Sequence, residues 1–281
     1  MNTATNFIRV GKVHKGLPDF VFPKPAPRRP GIDPKPRRTL VAAALMLAAL
    51  SLVAGPAAGQ PGDRLAASRP PSHQTGTLAG TVRLAGPPPP PGVLRVHKEQ
   101  AFCGSMVPDQ SLVAASDGAL KNVVVTLRGP GLDRQTGRPR NIQLDNIGCR
   151  FAPHVQAAPV GSNLLLLNSD VILHDAHARI GPRTLFNDGI PRWRRVTRTL
   201  RQPGLIRIIC ELHHAWMSAY IVVAPNRFFA VTGSRGRYAI DGIPPGTYDV
   251  RFWHERLDEV SRRVVVSPGT TRRHDVTLPM R

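Results

Sequence analysis

The chain has 281 residues, which is enough for one or two ordinary domains. Aromatic residues make up only 5% of it, and 29 Pro and 25 Gly favour many turns and short strands over long helices. The formal net charge is +20, but no run of Lys and Arg is interleaved with aromatic residues and no nucleic-acid-binding motif is present. The composition therefore argues against a helical protein and against a nucleic-acid partner.

Residues 1–60 have the pattern of an N-terminal extension that ends in a secretory signal. The apolar run Leu40–Ala54 follows the basic pair Arg37 and Arg38 and leads into the small residues Gly55–Gly59. This run is shorter than the stretch of about 20 apolar residues that spans a membrane. We therefore expect a signal peptide at about residues 40–59 and a periplasmic or secreted protein. The alternative, an uncleaved N-terminal anchor that holds the protein at a membrane, stays open.

Residues 61–75 are polar and contain Pro, and we interpret them as a linker. From residue 76 to residue 225, short apolar runs alternate with turn signals, which predicts an all-β domain. Its predicted strands are Thr77–Leu84, Leu120–Leu127, Asn141–Leu144, Leu164–Asn168, Leu205–Ile209 and Ala219–Ala224. Residues 178–199 form a variable segment to which no strand is assigned. From residue 226 to residue 281 a smaller unit follows, with roughly four or five short strands separated by turns.

One loop holds the soft donor atoms of a metal site. Cys210, His213 and Met217 offer a thiolate, an imidazole and a thioether within eight residues. A trigonal site of two His and one Cys with a weak axial Met is the arrangement of blue-copper electron-transfer proteins. His214 in place of His213 gives a second register for the same loop. A structural zinc site would have paired Cys spacing, which this loop lacks.

The second imidazole of such a site must come from upstream. The predicted strand Leu164–Asn168 leads to His174 and His177. We favour His174 as the ligand and keep His177 as the alternative. His154 is a further candidate, although a packing or capping role is more usual for a His in that position.

The cysteine count is odd, and in an exported protein the odd Cys is unpaired or serves as a reactive or ligand thiol. With Cys210 reserved for a metal, Cys103 and Cys149 remain to form a disulfide. Closing this loop would stabilise the fold by roughly 4 kcal/mol in the loop-entropy model. No nucleophile–base pair, paired-carboxylate site or Gly-rich phosphate loop is evident, so we expect a protein that is not an enzyme.

Two segments carry a resemblance to known families. The loop Cys210–Met217 resembles the copper loops of amicyanin and plastocyanin, and Gly242–Tyr248 resembles a motif of the carboxypeptidase regulatory-like domain. Residues 76–281 as a whole resemble exported bacterial proteins, labelled methylamine-utilisation or plastocyanin-like, that join two such domains. Further matching segments are Gly148–His154, Asn168–Asp170 and Trp253–Glu255. The resemblance implies an all-β fold, in which a cupredoxin-like Greek-key β-sandwich precedes a small transthyretin-like β-sandwich, and it implies one mononuclear copper.

The chain departs from the cupredoxin pattern at two places. Three residues separate His213 from Met217, against two in amicyanin and four in plastocyanin. Cupredoxins usually have Asn after the first His ligand, where it ties the ligand loop to the Cys loop, and here the residue is Asp175. An Asp can accept the same backbone hydrogen bond, but its negative charge would lower the potential or weaken the preference for copper.

We therefore expect a periplasmic or secreted type 1 copper protein that transfers single electrons. Its ligands would be His174, Cys210, His213 and Met217, and the positive charge of the chain would suit an acidic redox partner. The alternative is a non-catalytic β-sandwich module that binds carbohydrate or protein and has a copper-storage or vestigial metal site. A third hypothesis, a small copper enzyme, requires that Met217 lies away from the metal and that a pocket reaches the metal.

Overall fold

The computed structural model describes residues 74–212 and 216–280, so the predicted signal peptide and nearly all of the predicted linker lie outside the described residues. The described chain consists of strands and one four-residue helix, which confirms the all-β prediction. No helix in these two ranges is long and apolar enough to cross a membrane.

The elements follow one another in this order: β1 (Gly76–Leu84), β2 (Val93–Arg95), α1 (Gln100–Cys103), β3 (Met106–Pro108), β4 (Val124–Arg128), β5 (Asn141–Asn146), β6 (Phe151–Ala152), β7 (Val155–Pro159), β8 (Asn163–Asn168), β9 (His174–Ile180), β10 (Arg183–Ile190), β11 (Val196–Thr199), β12 (Gly204–Ile209), β13 (Ser218–Ala224), β14 (Phe229–Val231), β15 (Arg237–Ile243), β16 (Gly246–Trp253), β17 (Val260–Val266), β18 (Thr271–Arg273) and β19 (Val276–Leu278). Two of these strands, β10 and β11, lie in the segment 178–199 to which the sequence assigned no strand.

Two sheets between residues 141 and 224 pack face to face and form the first sandwich. One sheet has the strand order β11-β8-β5-β6, and the other has the order β10-β9-β12-β13-β7. Side chains alternate between the two faces of a strand, and the inward-facing apolar residues of both sheets meet in one buried core. Leu144 and Leu166 enter this core from the first sheet, and Ile206 and Ile221 enter it from the second.

The second sandwich takes strands from both ends of the described chain. β1 pairs with β15, β18 and β19, and β4 lies between β14 and β16 in the facing sheet. Its core includes Leu78, Leu127, Val250 and Phe252. The sheets therefore do not follow the predicted boundary between 76–225 and 226–281, because β1 and β4 belong with strands that come after residue 226. The alternation of β1 and the buried apolar run of β4 mark them as strands, but neither pattern contains information about the strands' partners.

A separate apolar cluster joins the two sandwiches. Val155 and Tyr220 on the outer face of the first sandwich pack with Val124 and Trp253 of the second. The rings of Tyr220 and Trp253 lie 5.4 Å apart between centroids. Burial of this apolar surface holds the two sandwiches together.

A small hairpin is attached to the first sandwich by the predicted disulfide. β2 and β3 pair with each other, and α1 between them ends at Cys103, which is bonded to Cys149. The two Cα atoms are 5.7 Å apart, so the predicted pairing is confirmed. Val96 and Val107 of this hairpin segment form a buried cluster with Cys149, and Trp216 packs against it.

Thiol counting checks this arrangement in solution. Oxidised, metal-free and denatured protein should contain one free thiol, that of Cys210, because the other two cysteines are bonded to each other. Reduction before denaturation should raise the count to three. Three free thiols without reduction would contradict the disulfide.

Candidate metal centre

Cys210 lies directly after β12. Side chains alternate between the two faces of that strand, and this alternation sets the direction of the Cys210 side chain. Ile206 and Ile208 point into the core of the first sandwich, and Cys210 continues the same side of the strand. Cys210 is the cysteine outside the disulfide, and it is only 2% exposed. The Cys210 backbone N–H donates to the Met217 carbonyl oxygen at 3.4 Å, which closes the base of the loop between them.

His174 begins β9 and faces this thiol. Its side chain is fully buried, and its Nδ1 lies 4.0 Å from the Cys210 Sγ. A metal ion bound to imidazole at about 2.0 Å and to thiolate at about 2.3 Å can reach both atoms, because these lengths together exceed the gap. The predicted pair of donors is therefore brought together by β9 and β12, which are neighbouring strands of one sheet.

Asp170 fixes the orientation of the His174 ring. Its Oδ2 accepts a hydrogen bond from the His174 Nε2 at 3.0 Å, and its carboxylate also accepts from the backbone N–H groups of Gly148 and Cys149. Because the Nε2 carries the hydrogen, the Nδ1 lone pair points towards Cys210. This is the carboxylate–histidine arrangement that orients metal-bound imidazoles. Burial lowers the pKa of His174, while Asp170 opposes that shift, and the lower value favours the neutral, ligating form.

Asp175 ties the His-bearing strand to the Cys loop. Its Oδ1 accepts hydrogen bonds from the backbone N–H of Glu211 at 2.7 Å and of Leu212 at 3.2 Å. The role expected for an Asn at this position is therefore performed by the carboxylate. Burial raises the pKa of the Cys210 thiol to about 12, and the charge of Asp175 adds to the increase. Metal binding at this sulfur must therefore displace a proton.

Asp175→Ala should loosen the Cys loop without unfolding the sandwich. The substitution leaves the Glu211 and Leu212 N–H groups without their acceptor. The cost stays below the roughly 1–3 kcal/mol of a buried donor, because Glu211 is exposed and Leu212 is half-buried. We expect metal affinity to fall by roughly 10–100-fold, the usual effect of losing an outer-shell partner. Copper competition titrations measure this, and Asp175→Asn is the matched control because its side-chain oxygen can accept the same bonds. Equal affinity in Asp175→Ala and the unchanged protein would contradict the assigned role.

The remainder of the predicted ligand set is only partly described. Met217 is 1% exposed and belongs to the same core cluster as Cys210. Trp216, its neighbour, donates from Nε1 to the Cys149 carbonyl oxygen at 3.0 Å and so anchors the end of the loop. His213 and His214 lie outside the described residues, and the choice between them stays a prediction.

The two alternative ligands have other partners. His177 is an odd number of residues from His174 along β9 and therefore lies on the opposite face of the sheet. Its Nε2 pairs with the Thr184 hydroxyl at 2.8 Å, and its Nδ1 lies 2.8 Å from a Glu211 carboxylate oxygen. The structure thus places His174, and not His177, beside the thiol of Cys210.

His154 links the two sandwiches. Its Nδ1 faces the Ser218 carbonyl oxygen at 2.9 Å, and its Nε2 pairs with the Glu255 carboxylate of the second sandwich. Both side chains of this ion pair are more than nine-tenths buried. Both ring nitrogens are therefore engaged, and the structure gives His154 a role at the junction between the sandwiches.

A second group of potential ligand atoms lies close by. Atoms of Cys149, Asp170 and His174 come within 4.8 Å of one another. The Cys149 sulfur is already bonded to Cys103 and is not available as a thiolate. The sulfur beside His174 that lies outside the disulfide is that of Cys210, so this group does not define a separate site.

Sequence reasoning missed the functions of Asp170 and Glu255. Asp170 belongs to the segment Asn168–Asp170 and comes four residues before His174 in the sequence. In a helix this spacing would bring the two side chains together, but in a loop it predicts no contact. Glu255 follows Trp253 and His254 at the end of β16, and its partner is about a hundred residues away in the chain. A local motif contains no signal for such a pair.

Comparison with known proteins gives one domain match. Residues 217–279 match the model of the carboxypeptidase regulatory-like domain. The matched range covers β13, which belongs to the first sandwich, and β14 to β19, and it leaves out β1 and β4, which complete the two sheets of the second sandwich. No curated protein matches this chain.

Solved cupredoxins are among the structures that this chain resembles. The purple cupredoxin of Nitrosopumilus maritimus is 20% identical over 29% of this chain and 98% of its own, with a TM-score of 0.26. A reduced amicyanin mutant is 16% identical over 35% of this chain and 99% of its own, with a TM-score of 0.27. The copper-containing nitrite reductase of Thermus scotoductus is 26% identical over 30% of this chain, with a TM-score of 0.28, and the chain spans only 22% of its length. At such TM-scores these likenesses do not define the function of the chain.

Proposed function

We propose that the protein is a type 1 copper protein that carries single electrons in the periplasm or outside the cell. The observation that carries the proposal is the 4.0 Å approach of the His174 Nδ1 to the Cys210 Sγ in a buried site. Thiolate and imidazole together select copper or zinc over harder cations. The thioether of Met217 at the same loop favours copper, because a weak axial Met is the feature of blue-copper sites.

Each ligand would have a defined part in this site. Cys210 would supply the thiolate, and His174 and His213 the two imidazoles, with His214 as the alternative to His213. Met217 would be the weak axial ligand, whose distance helps to set the potential. The bound copper would supply a one-electron couple, and the chain's contribution would be a fixed ligand geometry that excludes water.

Hydrogen bonds on three sides support a rigid site. Asp170 holds the His174 ring, Asp175 holds the start of the Cys loop, and Trp216 anchors its end to the disulfide-bonded Cys149. Such supporting bonds keep ligands in one geometry. Electron transfer benefits from this, because a ligand set that does not rearrange lowers the cost of changing the oxidation state.

The space near Met217 favours a carrier over a small copper enzyme. The cavity that Met217 lines together with Phe151 and His154 has a volume of about 20 Å³. This volume admits no more than about one water molecule. Among the described residues, this side of the site therefore offers no room for an organic substrate.

The approach of His174 to Cys210 also argues against a vestigial site, which is one form of the binding-module alternative. In a vestigial site, nothing would keep a buried thiol opposite the His174 ring, whose tautomer Asp170 fixes. We further propose an acidic redox partner, since the chain carries 38 Lys and Arg against 18 Asp and Glu. Complementary charge of this kind raises association rates and makes them dependent on salt.

Voltammetry of the copper-loaded protein tests electron transfer itself. We expect one reversible one-electron wave per chain, with little change in peak separation as the scan rate rises. His177→Gln should keep the wave, and His174→Gln should abolish it. Copper that binds without a reversible couple would favour the storage site of the alternative hypothesis.

A further inference from the structure

The outer face of the second sandwich contains an arginine-lined cleft that is separate from the metal centre. The cleft has a volume of about 590 Å³, which is within the range of small-molecule sites. Four of its lining residues are arginines, and one is acidic. The arginines are Arg83, Arg235, Arg237 and Arg273, and the acidic residue is Asp117.

Strand pairing explains how the arginines come together. Arg83 is on β1, Arg237 pairs across from Thr81 on β15, and Arg273 pairs across from Ala79 on β18. Odd-numbered residues of β1 point away from the core, so these side chains share one face of the sheet. Guanidinium groups that share one face of a sheet raise the local positive potential, which attracts anions.

Small residues on β1 leave the floor of the cleft open. Ala79, Gly80 and Thr81 lie between the arginines, where long side chains would fill the space. Gly80 cannot be replaced simply, because a Cβ there would collide with the carbonyl oxygen of His274. The close approach of the chain at His274 therefore keeps a glycine at this position of β1.

The rim of the cleft is held in place by hydrogen bonds. Asp275 accepts from the Thr81 backbone N–H at 2.8 Å and lies 3.2 Å from the Arg273 Nε, which positions that guanidinium. The turn that carries Arg235 is closed by Gly236, whose N–H donates to the Gly233 carbonyl at 2.9 Å. Gly236 has a φ of +64°, a conformation that favours glycine. A preformed rim binds a ligand at a lower entropic cost than a mobile one.

We propose that this cleft binds a small polyanion that carries at least two phosphate or carboxylate groups. Guanidinium groups recognise both oxyanions through paired N–H donors, and their separation around one floor suits a ligand with more than one anionic group. An inorganic or organic phosphate and a carboxylated oligosaccharide share this chemistry. The cleft contains no exposed aromatic side chain on which a neutral sugar ring would stack, since Tyr238 is buried.

Calorimetric titrations of the purified protein with inorganic diphosphate and with trigalacturonate test the proposal, and a neutral trisaccharide is the ligand control. We expect saturable 1:1 binding of at least one anion and none of the neutral sugar. Arg235→Ala combined with Arg237→Ala should weaken binding at least about tenfold. The matched control, Arg192→Ala with Arg195→Ala, removes two exposed arginines from the first sandwich and should change affinity by less than about twofold.

Asp117→Asn should raise the affinity for the anion, whereas the arginine variants lower it. Asp117 lies 3.7 Å from Arg83 and competes for that guanidinium, while its Oδ1 accepts from the Ala119 N–H. Asn keeps an acceptor for Ala119 and removes the competing charge, so affinity for the anion should rise. Tighter binding of diphosphate would identify a phosphate ligand, and tighter binding of trigalacturonate a carboxylated saccharide. Failure of both anions to saturate the protein, or equal weakening by the two arginine pairs, would overturn the proposal.

Discussion

Cys210→Ser should abolish the blue thiolate-to-copper absorption while the sandwich stays folded. The colour of a type 1 site comes from the Cys thiolate, and a hydroxyl at the same position cannot replace it. The substitution nearly conserves volume in a site that is 2% exposed, so we expect a stability loss of only about 1–3 kcal/mol from the buried hydroxyl. Absorption spectra of the copper-loaded protein measure the first effect, and circular dichroism confirms the fold.

The two histidines of β9 provide the matched controls for this result. His174→Gln should also lose the colour, because its Nδ1 is the nitrogen 4.0 Å from the Cys210 sulfur. His177→Gln should retain it, because that ring contacts Thr184 and Glu211 on the other face of the sheet. If the blue absorption survives in Cys210→Ser, a group other than the Cys210 thiolate is the source of the charge-transfer band.

Glu255→Ala should lower the free energy of unfolding by about 3–5 kcal/mol, the range for breaking a buried ion pair by removing one partner. The His154 and Glu255 side chains are 5% and 8% exposed, and the change leaves the buried imidazole without its carboxylate. Tyr220 and Trp253 pack beside this pair at the junction of the two sandwiches. Denaturant unfolding of the metal-free protein measures the loss as a shift in midpoint.

The control for Glu255→Ala is a second His–Glu pair in the same chain. Glu211 lies 2.8 Å from His177, but its side chain is 45% exposed. Glu211→Ala should therefore cost no more than about 1 kcal/mol, as is usual for exposed pairs. Equal losses in the two variants would contradict the claim that burial makes the His154–Glu255 pair contribute more to the free energy of unfolding.

Local sequence predicted the strand before the His174 segment and the strand that leads to Cys210 with small errors, but it did not predict β9, which begins at His174 itself. Leu164–Asn168 was expected and Asn163–Asn168 is found, and Leu205–Ile209 was expected and Gly204–Ile209 is found. In both strands apolar side chains alternate or run together between turn residues, which is a short-range signal. By contrast, β10 lies at a sheet edge with half of its residues exposed, and its sequence contains little of that signal.

Contacts between distant segments could not be predicted in the same way. The pairing of β1 with β15 and β18 joins segments more than a hundred residues apart, and the alternation of β1 and β15 is equally compatible with other partners. The soft donors Cys210 and Met217 were evident because they share one loop. The partners that orient the site, Asp170 on His174 and Asp175 on the Cys loop, depend on how the loops fold against each other.

The visible absorption spectrum of the purified protein, loaded with one equivalent of Cu(II), tests the central claim most directly. We predict an intense blue thiolate-to-copper band that saturates at one copper per chain. A pale product without a thiolate band, at full copper occupancy, would contradict a type 1 site and would leave the binding-module hypothesis in its place.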